Sequence, residues 1–293
     1  MKEKLKNVSK YLMILLPFLV YLGLDFIFGI VIVLLYMQSY INACILMLIT
    51  KGHLPDMRLL VNILENSQVS LTQIMLFALP VLTGIFFFFW YRKLKKDQIW
   101  SAHKVKLLNI KNIVLLLAAV CGLQLLTEGM LELILPYFGD IADKYEKLIE
   151  QIINGHPLMI FLCVVLAGPV SEELVFRGVI FQKALTAAPF MVANIIQALL
   201  FALAHMNIVQ GTYAFVAGLV MGYIAYKFKS IMATIVFHIL FNGFNFIITF
   251  PDTKKLSGIY IAVGLFLTIA ALYFISNSNK DISVSEDGKT KMY

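Results

Sequence analysis

The sequence predicts an all-α membrane protein: a polytopic helical bundle of about eight transmembrane helices that encloses a polar intramembrane cavity. Of its 293 residues, 60% are hydrophobic and only 14% are charged, and the mean hydropathy is +0.86. A soluble chain of this length could not bury so much apolar surface. The protein is therefore expected to be integral to the lipid bilayer.

Eight apolar segments, each about 20 residues long, match the thickness of a bilayer. The first is the least defined, because apolar sequence continues to Ile49 and could form one long helix or two short ones. On the sixth, Ala214, Gly218 and Gly222 repeat at four-residue spacing, which predicts close helix packing. The segments lie near residues 11–36, 71–91, 112–136, 157–184, 189–206, 211–227, 231–250 and 257–276.

Polar stretches separate these segments. A soluble stretch covers 51–70, a basic loop covers 92–111, and an amphipathic, acid-containing stretch covers 137–156. The residues from Asn277 onwards are polar and are expected to be disordered. The predicted divisions are N-terminal helices and loops (1–156), a core (157–250), a last helix (251–276) and a polar tail (277–293).

The distribution of basic residues predicts the orientation. With the N-terminus inside, 17 of the 24 Lys and Arg residues fall in cytoplasmic segments, six fall in outer segments, and Arg177 lies within the membrane. This bias follows the positive-inside rule and puts both termini in the cytoplasm. Dividing the first segment would move the basic loop to the outside, so the distribution favours eight spans over nine.

Composition argues against several other classes of protein. No basic cluster is interleaved with base-stacking aromatic residues, so nucleic acid is not an expected partner despite the net charge of +7. Cys44, Cys121 and Cys163 are scattered without a CxxC pair, which argues against a disulfide or a zinc cluster. The N-terminal apolar run is too long for a signal peptide and is expected to remain as an anchor.

Three charged residues, Glu172, Glu173 and Arg177, interrupt the fourth apolar segment. Each costs about 2.5–3.5 kcal/mol near the centre of a spanning helix, so these groups must be paired, face water or take part in chemistry. Glu173 and Arg177 are four residues apart, which favours an ion pair. Glu172 points about 100° away and can face another group. Pro169 removes one main-chain hydrogen bond and is expected to kink the helix.

Two histidines fall in apolar segments and share a helix face with other notable residues. Phe201 and His205 are four apart on the fifth segment, and His238 and Asn242 are four apart on the seventh. With the glutamates they predict the walls of one polar cavity, although a single intramembrane histidine is more often an interhelical contact. The other three histidines are predicted to lie on the surface in loops: His53, His103 and His156.

Such a set of side chains can activate water. A carboxylate can act as a general base, a histidine can share the proton or bind a metal ion, and an asparagine amide can donate to an oxyanion. Hydrolysis of a peptide bond at membrane depth is a coherent use, although the sequence has no serine nucleophile elbow or HExxH helix. A proton-coupled transporter would also use buried carboxylates, but no inverted repeat or pair of broken helices is evident.

Three motifs together resemble the signature of a known family. They are Glu172-Glu173-x-x-x-Arg177, Phe201-x-x-x-His205 and His238-x-x-x-Asn242. Their order and spacing on successive membrane helices are similar to those of the CPBP family of CAAX-processing and bacteriocin-processing intramembrane proteases, also called Abi proteins. This family includes the type II CAAX prenyl endopeptidases. The resemblance covers about residues 157–250.

The resemblance implies an intramembrane endopeptidase that acts on a membrane protein or a lipidated peptide. Glu172 would be the general base, assisted by His205, and His238 with Asn242 would stabilise the oxyanion. Glu173 and Arg177 would form a structural pair near the site, beside Phe201. The bacterial members of the family suggest the bacterial cytoplasmic membrane as the location.

The resemblance is compatible with a metalloprotease or with a metal-independent glutamate protease. A zinc ion would draw its ligands from Glu172, Glu173, His205 and His238. The shared face of His238 and Asn242 favours the metal-free mechanism, because a histidine that supports the oxyanion cannot bind metal through the same nitrogen.

A non-catalytic membrane scaffold is the alternative function, such as an immunity factor or a cell-envelope assembly factor that acts through a protein partner. A scaffold would not need the signature side chains, all of which are present.

The axial positions of the motifs conflict with one shared site if the helices are straight and parallel. At 1.5 Å per residue, Glu172 lies about 20 Å from the cytoplasmic end of its helix, His205 about 24 Å and His238 about 12 Å. Helix tilt, a kink or displaced helix ends would have to bring these side chains together.

Overall fold

The computed structural model describes residues 2–52, 57–94, 109–248 and 253–278, and its regular elements are helices. A short 3₁₀ turn, Leu135–Tyr137, follows the third helix. In chain order the helices are α1 (Lys2–Lys51), α2 (Met57–Leu94), α3 (Ile110–Ile134), α4 (Asp140–Ile153), α5 (Pro157–Ala187), α6 (Phe190–Ala204), α7 (Ile208–Phe228), α8 (Ile231–Ile247) and α9 (Thr253–Ser278).

The all-α membrane bundle predicted from the sequence is confirmed. Within the described ranges, six helices contain a stretch long and apolar enough to cross a membrane, judged by length and composition. Two further apolar helices are shorter, α6 with 15 residues and α8 with 17. Together these helices account for all eight predicted segments. At about 23 and 26 Å, α6 and α8 are shorter than a hydrocarbon core of about 30 Å.

The first apolar segment forms one continuous helix, the alternative that the charge distribution favoured. The 50 residues of α1 extend over about 75 Å, although its candidate span is only Leu12–Gln38. α2 also exceeds its span of Leu71–Leu94, because the helix begins at Met57. Residues 57–70, predicted as part of a soluble stretch, therefore continue this helix beyond the span.

Some sequence predictions lie outside the described residues. They concern the basic loop at 95–108, the polar tail from residue 279, and the loop positions of His53 and His103. His156 is described, and it is exposed immediately before α5. The amphipathic stretch forms α4, whose first turn carries Asp140 and Asp143, where acidic side chains complement the helix dipole.

α5 changes its hydrogen-bonding pattern on both sides of Pro169. Residues Phe161–Ala167 and Leu174–Ile180 form π-helical turns, and Gly168–Glu173 between them is α-helical. In the first π segment the N–H of Gly168 donates to the carbonyl of Cys163, five residues back. Pro169 has no N–H, so it cannot continue this pattern to Val164. Wider turns accompany this proline, and the kink predicted there stays a prediction.

Close contacts through glycine hold two pairs of helices together. A β-carbon on Gly264 of α9 would lie 2.7 Å from the carbonyl oxygen of Gly122 of α3 and would also collide with the main-chain nitrogen of Leu126. A β-carbon on Gly218 of α7 would lie 3.0 Å from the α-carbon of Ala198 of α6. The small-residue stripe predicted on α7 therefore does serve helix packing.

We expect Gly264→Ala to lower the free energy of unfolding by about 1–3 kcal/mol, because the added methyl group overpacks against main-chain atoms. Gly258→Ala on the same helix is the matched control, since a β-carbon there meets nothing within 4 Å. That control should be neutral or slightly stabilising, because alanine favours a helix over glycine by about 1 kcal/mol. Thermal unfolding midpoints in detergent provide the comparison, and equal midpoints would contradict the close approach of α3 and α9.

Candidate active site

His238 of α8 lies between the two adjacent glutamates of α5. Its Nδ1 is 3.0 Å from Glu173 Oε1, and its Nε2 is 3.7 Å from Glu172 Oε2. The first distance is a hydrogen bond and the second is longer than one. The axial mismatch expected for straight, parallel helices therefore does not keep His238 away from the glutamates.

The two glutamates differ in accessibility although they are neighbours in sequence. The side chain of Glu173 is fully buried, whereas that of Glu172 is 29% exposed. Successive residues of a helix point in directions about 100° apart, so one carboxylate enters the protein interior and the other reaches open space. Glu172 is therefore the carboxylate that water or a substrate can reach.

Glu173 forms a buried ion pair with Arg177, one turn along the same helix. The distance from Arg177 Nη1 to Glu173 Oε1 is 2.8 Å, and both side chains are 0% exposed. Arg177 Nη2 also donates to the carbonyl of Gly218 at 3.3 Å. Because Glu173 accepts from the arginine through the same oxygen that contacts His238, the guanidinium fixes the carboxylate that orients the imidazole.

Phe201 of α6 is the aromatic centre around which these groups pack. The Arg177 guanidinium lies over its ring at 4.5 Å from the centroid, a cation–π contact. The rings of Phe176, His205 and His238 meet it edge-on, with centroids 5.1, 4.9 and 6.0 Å away. Phe201 thus joins the three motifs through one side chain.

His205 occupies the C-terminal end of α6. Its Nδ1 lies 2.8 Å from the carbonyl oxygen of Phe201, so this nitrogen carries a proton and donates it to the main chain. In the described part of the chain His205 forms no ion pair with Glu172 or Glu173. The structure brings it to the same aromatic cluster, but the contact needed for direct assistance to Glu172 is not present.

Asn242 completes the hydrogen bonding of α5. Its Nδ2 donates to the carbonyl oxygen of Val164 at 2.9 Å. This is the carbonyl that the π-helical pattern leaves without a main-chain donor, because the residue five positions later is Pro169. The proline and the asparagine are therefore complementary, and the second N–H of the Asn242 amide is left to donate to another group.

The residues present do not form a complete metal site. Within the described ranges, no group of three His, Cys, Asp or Glu side chains converges closely enough to hold a metal ion. Glu172, Glu173 and His238 are near one another, but Glu173 is committed to Arg177 and to the imidazole Nδ1. His205, the fourth candidate ligand, bonds the carbonyl of Phe201 through Nδ1, so only its Nε2 could face a metal ion.

The first two helices add polar groups that the sequence analysis did not include. Thr83 Oγ1 of α2 donates to Asp25 Oδ1 of α1 at 2.8 Å, and Asp25 is close enough to Glu172 to interact with it electrostatically. Tyr21 packs edge-on against Phe176 with ring centroids 5.6 Å apart. The available signal was that Asp25 is the only charged residue between Leu12 and Gln38.

An apolar cavity of about 600 Å³ lies between α2 and α5. Ser171, the residue immediately before Glu172, is the only polar side chain among those that line it. Its other lining residues include Phe77, Phe88 and Leu166. A β-carbon on Gly84 would lie 3.3 Å from the Ser171 β-carbon, so the two helices nearly touch beside the cavity.

The core of the chain matches a family of known proteases. Residues 154–244 match the family model described as type II CAAX prenyl endopeptidase Rce1-like. The match runs from the end of α4 through most of α8 and contains all three sequence motifs, which confirms the predicted family resemblance. No curated protein and no solved structure matches the chain.

We expect Arg177→Met to destabilise the protein by about 3–5 kcal/mol, because it leaves Glu173 as an unpaired charge in the interior. The double variant Glu173→Gln, Arg177→Met is the matched control, since it removes both charges and should recover most of that loss. Membrane abundance and the thermal unfolding midpoint measure the effect. If the single variant were as stable as the double variant, Glu173 would have another source of compensation.

Proposed function

From the match of residues 154–244 to a CAAX protease family, we propose that the protein is an intramembrane endopeptidase. It hydrolyses a peptide bond in a membrane-associated or lipidated protein or peptide, using water activated by Glu172. The observation that carries this proposal is the position of His238, whose two ring nitrogens face Glu172 and Glu173 inside a membrane bundle. A structural contact alone would not require an accessible carboxylate opposite a histidine.

Glu172 is the general base in this mechanism. It takes a proton from water while the oxygen attacks the carbonyl carbon, and it then returns that proton to the leaving nitrogen. The 3.7 Å between Glu172 Oε2 and His238 Nε2 leaves both atoms available to the reacting groups. Glu173 and Arg177 are positioning residues, since they hold the imidazole and do not reach the reacting atoms.

The oxyanion of the tetrahedral intermediate is stabilised by Asn242 and His238. The amide of Asn242 is oriented by its bond to Val164 and donates its second N–H to the oxyanion. His238 donates from Nε2 while Nδ1 remains bonded to Glu173, so the ring carries both protons in this role. His205 uses Nε2 to bind water or substrate, because its Nδ1 is bonded to the carbonyl of Phe201.

The cavity between α2 and α5 indicates the class of substrate. A lining of apolar side chains with a single hydroxyl suits a hydrocarbon chain or an apolar peptide segment rather than a soluble peptide. We therefore propose that the substrate reaches the site from the bilayer. The excess of basic residues in predicted inner segments supports an orientation with both termini cytoplasmic. The resemblance to the family, which has many bacterial members, supports the bacterial cytoplasmic membrane as the location.

We expect Glu172→Gln and His238→Ala each to lower the rate of proteolysis by at least about a hundred-fold, the usual loss when a general base or its partner is removed. A pull-down with Glu172→Gln followed by mass spectrometry would supply the substrate, because this variant binds without cleaving. The measurement is the rate at which each purified variant cleaves that substrate, compared between variants that reach equal abundance in the membrane.

His156→Ala, in the exposed segment before α5, is the matched control and should retain full activity.

The competing scaffold function makes the opposite prediction. If the protein were a scaffold, the Glu172→Gln and His238→Ala variants would keep the cellular phenotype at normal abundance. A scaffold acts by binding a partner and does not need the catalytic side chains. That result would overturn the proposed proteolysis.

We propose that the mechanism does not use a metal ion, because within the described residues no three candidate ligands converge closely enough to hold one. Purified active protein treated with a strong chelator should keep its rate of cleavage, and elemental analysis should find zinc far below one atom per chain. Near-stoichiometric zinc that is lost together with activity, and restored with it, would contradict this mechanism.

A further inference from the structure

Two lysines at the turn between α7 and α8 rest on aromatic rings. Lys227 Nζ lies 5.4 Å from the ring centroid of Tyr223, and Lys229 Nζ lies 3.6 Å from that of Tyr226. Lys229 itself has a left-handed backbone with φ of 51°, which ends α7 and turns the chain into α8. The fold therefore holds both ammonium groups against tyrosine rings at the end of α7.

These lysines have no anionic partner in the part of the chain that the structure describes. The ion pairs of Arg177 and His238 are with the two glutamates, and neither Lys227 nor Lys229 takes part in them. Burial and the neighbouring charge of Lys227 lower the pKa of Lys229 to about 8. Two half-buried like charges without a counter-charge raise the free energy of the site, and a bound anion would relieve that cost.

The surroundings of the lysines are rigid and carry further positive potential. Phe190, the first residue of α6, packs against Tyr226 and Tyr223 with ring centroids 4.4 and 6.1 Å away. The first turn of α6 has no side-chain cap and no acidic residue, so its unpaired N–H groups add a partial positive charge beside the lysines.

The depth of this cluster matches the headgroup layer of a membrane. The candidate span of α7 ends at Phe228, so Lys227 and Lys229 lie on either side of the end of the apolar helix. Tyrosine rings at this level are typical of a membrane interface, where one side of the ring is apolar and the other is wet. Basic pockets between helices at this level suit anionic lipid headgroups.

We propose that Lys227 and Lys229, framed by Tyr223, Tyr226 and Phe190, bind the phosphate of one anionic phospholipid of the phosphatidylglycerol type. The ammonium groups contact the phosphate, and the aromatic rings hold the lysines in place. The acyl chains follow exposed apolar side chains of the neighbouring α6, such as Met191 and Ile195. This site is independent of the proposed proteolysis, because none of its residues belongs to the three motifs.

The test measures lipid affinity directly by native mass spectrometry of the full chain in neutral detergent. Phosphatidylglycerol and phosphatidylcholine with identical acyl chains are titrated separately. The wild type should prefer phosphatidylglycerol, and Lys227→Gln, Lys229→Gln should weaken its binding by about twenty-five-fold, since each lysine near a headgroup contributes a factor of about five. Phosphatidylcholine binding should stay unchanged.

Matched variants separate this site from a general effect of charge. Lys227→Arg, Lys229→Arg keeps both charges and should retain most of the affinity, whereas Lys254→Gln, Lys255→Gln removes two exposed lysines from the start of α9 and should change nothing. Equal unfolding midpoints in phosphatidylcholine alone establish that each variant is folded.

Three results would overturn the proposal. The first is the absence of a phosphatidylglycerol preference in the wild type. The second is an equal loss of binding in the α9 control, which would indicate only overall charge. The third is lysine-dependent binding of inorganic phosphate as tight as that of the lipid, which would identify a site for free phosphate. Because the readout is lipid binding, a failure here leaves the proposed proteolysis untouched.

Discussion

The buried ion pair between Glu173 and Arg177 is the interaction on which the candidate site depends. Two opposite charges with no solvent exposure are tolerated because they neutralise each other and form further hydrogen bonds. Glu173 uses the same carboxylate oxygen to hold His238, and Arg177 stacks on Phe201. Four helices, α5 to α8, therefore meet at one ion pair, and Glu172 is left as the reachable carboxylate beside them.

A second constraint comes from Pro169 and acts through the main chain. Because proline lacks an N–H, the carbonyl of Val164 has no partner within α5, and Asn242 of α8 supplies the missing donor. The asparagine thereby couples the main-chain defect of α5 to the helix that carries His238. A change at either residue alters the spacing of the two helices and with it the distance between Glu172 and His238.

Local patterns in the sequence predicted the elements and the short-range contacts. Apolar length predicted the eight segments, and four-residue spacing predicted the pairing of Glu173 with Arg177. The contacts of His238 could not be derived in this way, because they depend on the π-helical turns of α5 and on the short α8. The hydrogen bonds from Asn242 to Val164 and from Thr83 to Asp25 join residues that are 78 and 58 positions apart in the sequence. Helical spacing cannot predict contacts between residues so far apart.

The pairing of charges within a single helix has a consequence for biosynthesis. α5 is made before α8, so during translation its charges must leave the translocon without help from His238. Glu173 and Arg177 are on the same helix and can neutralise each other at once, which removes most of the cost of about 2.5–3.5 kcal/mol that each would carry alone. α5 can thus enter the lipid as an independent unit, and the assembly of the site waits for the later helix to dock.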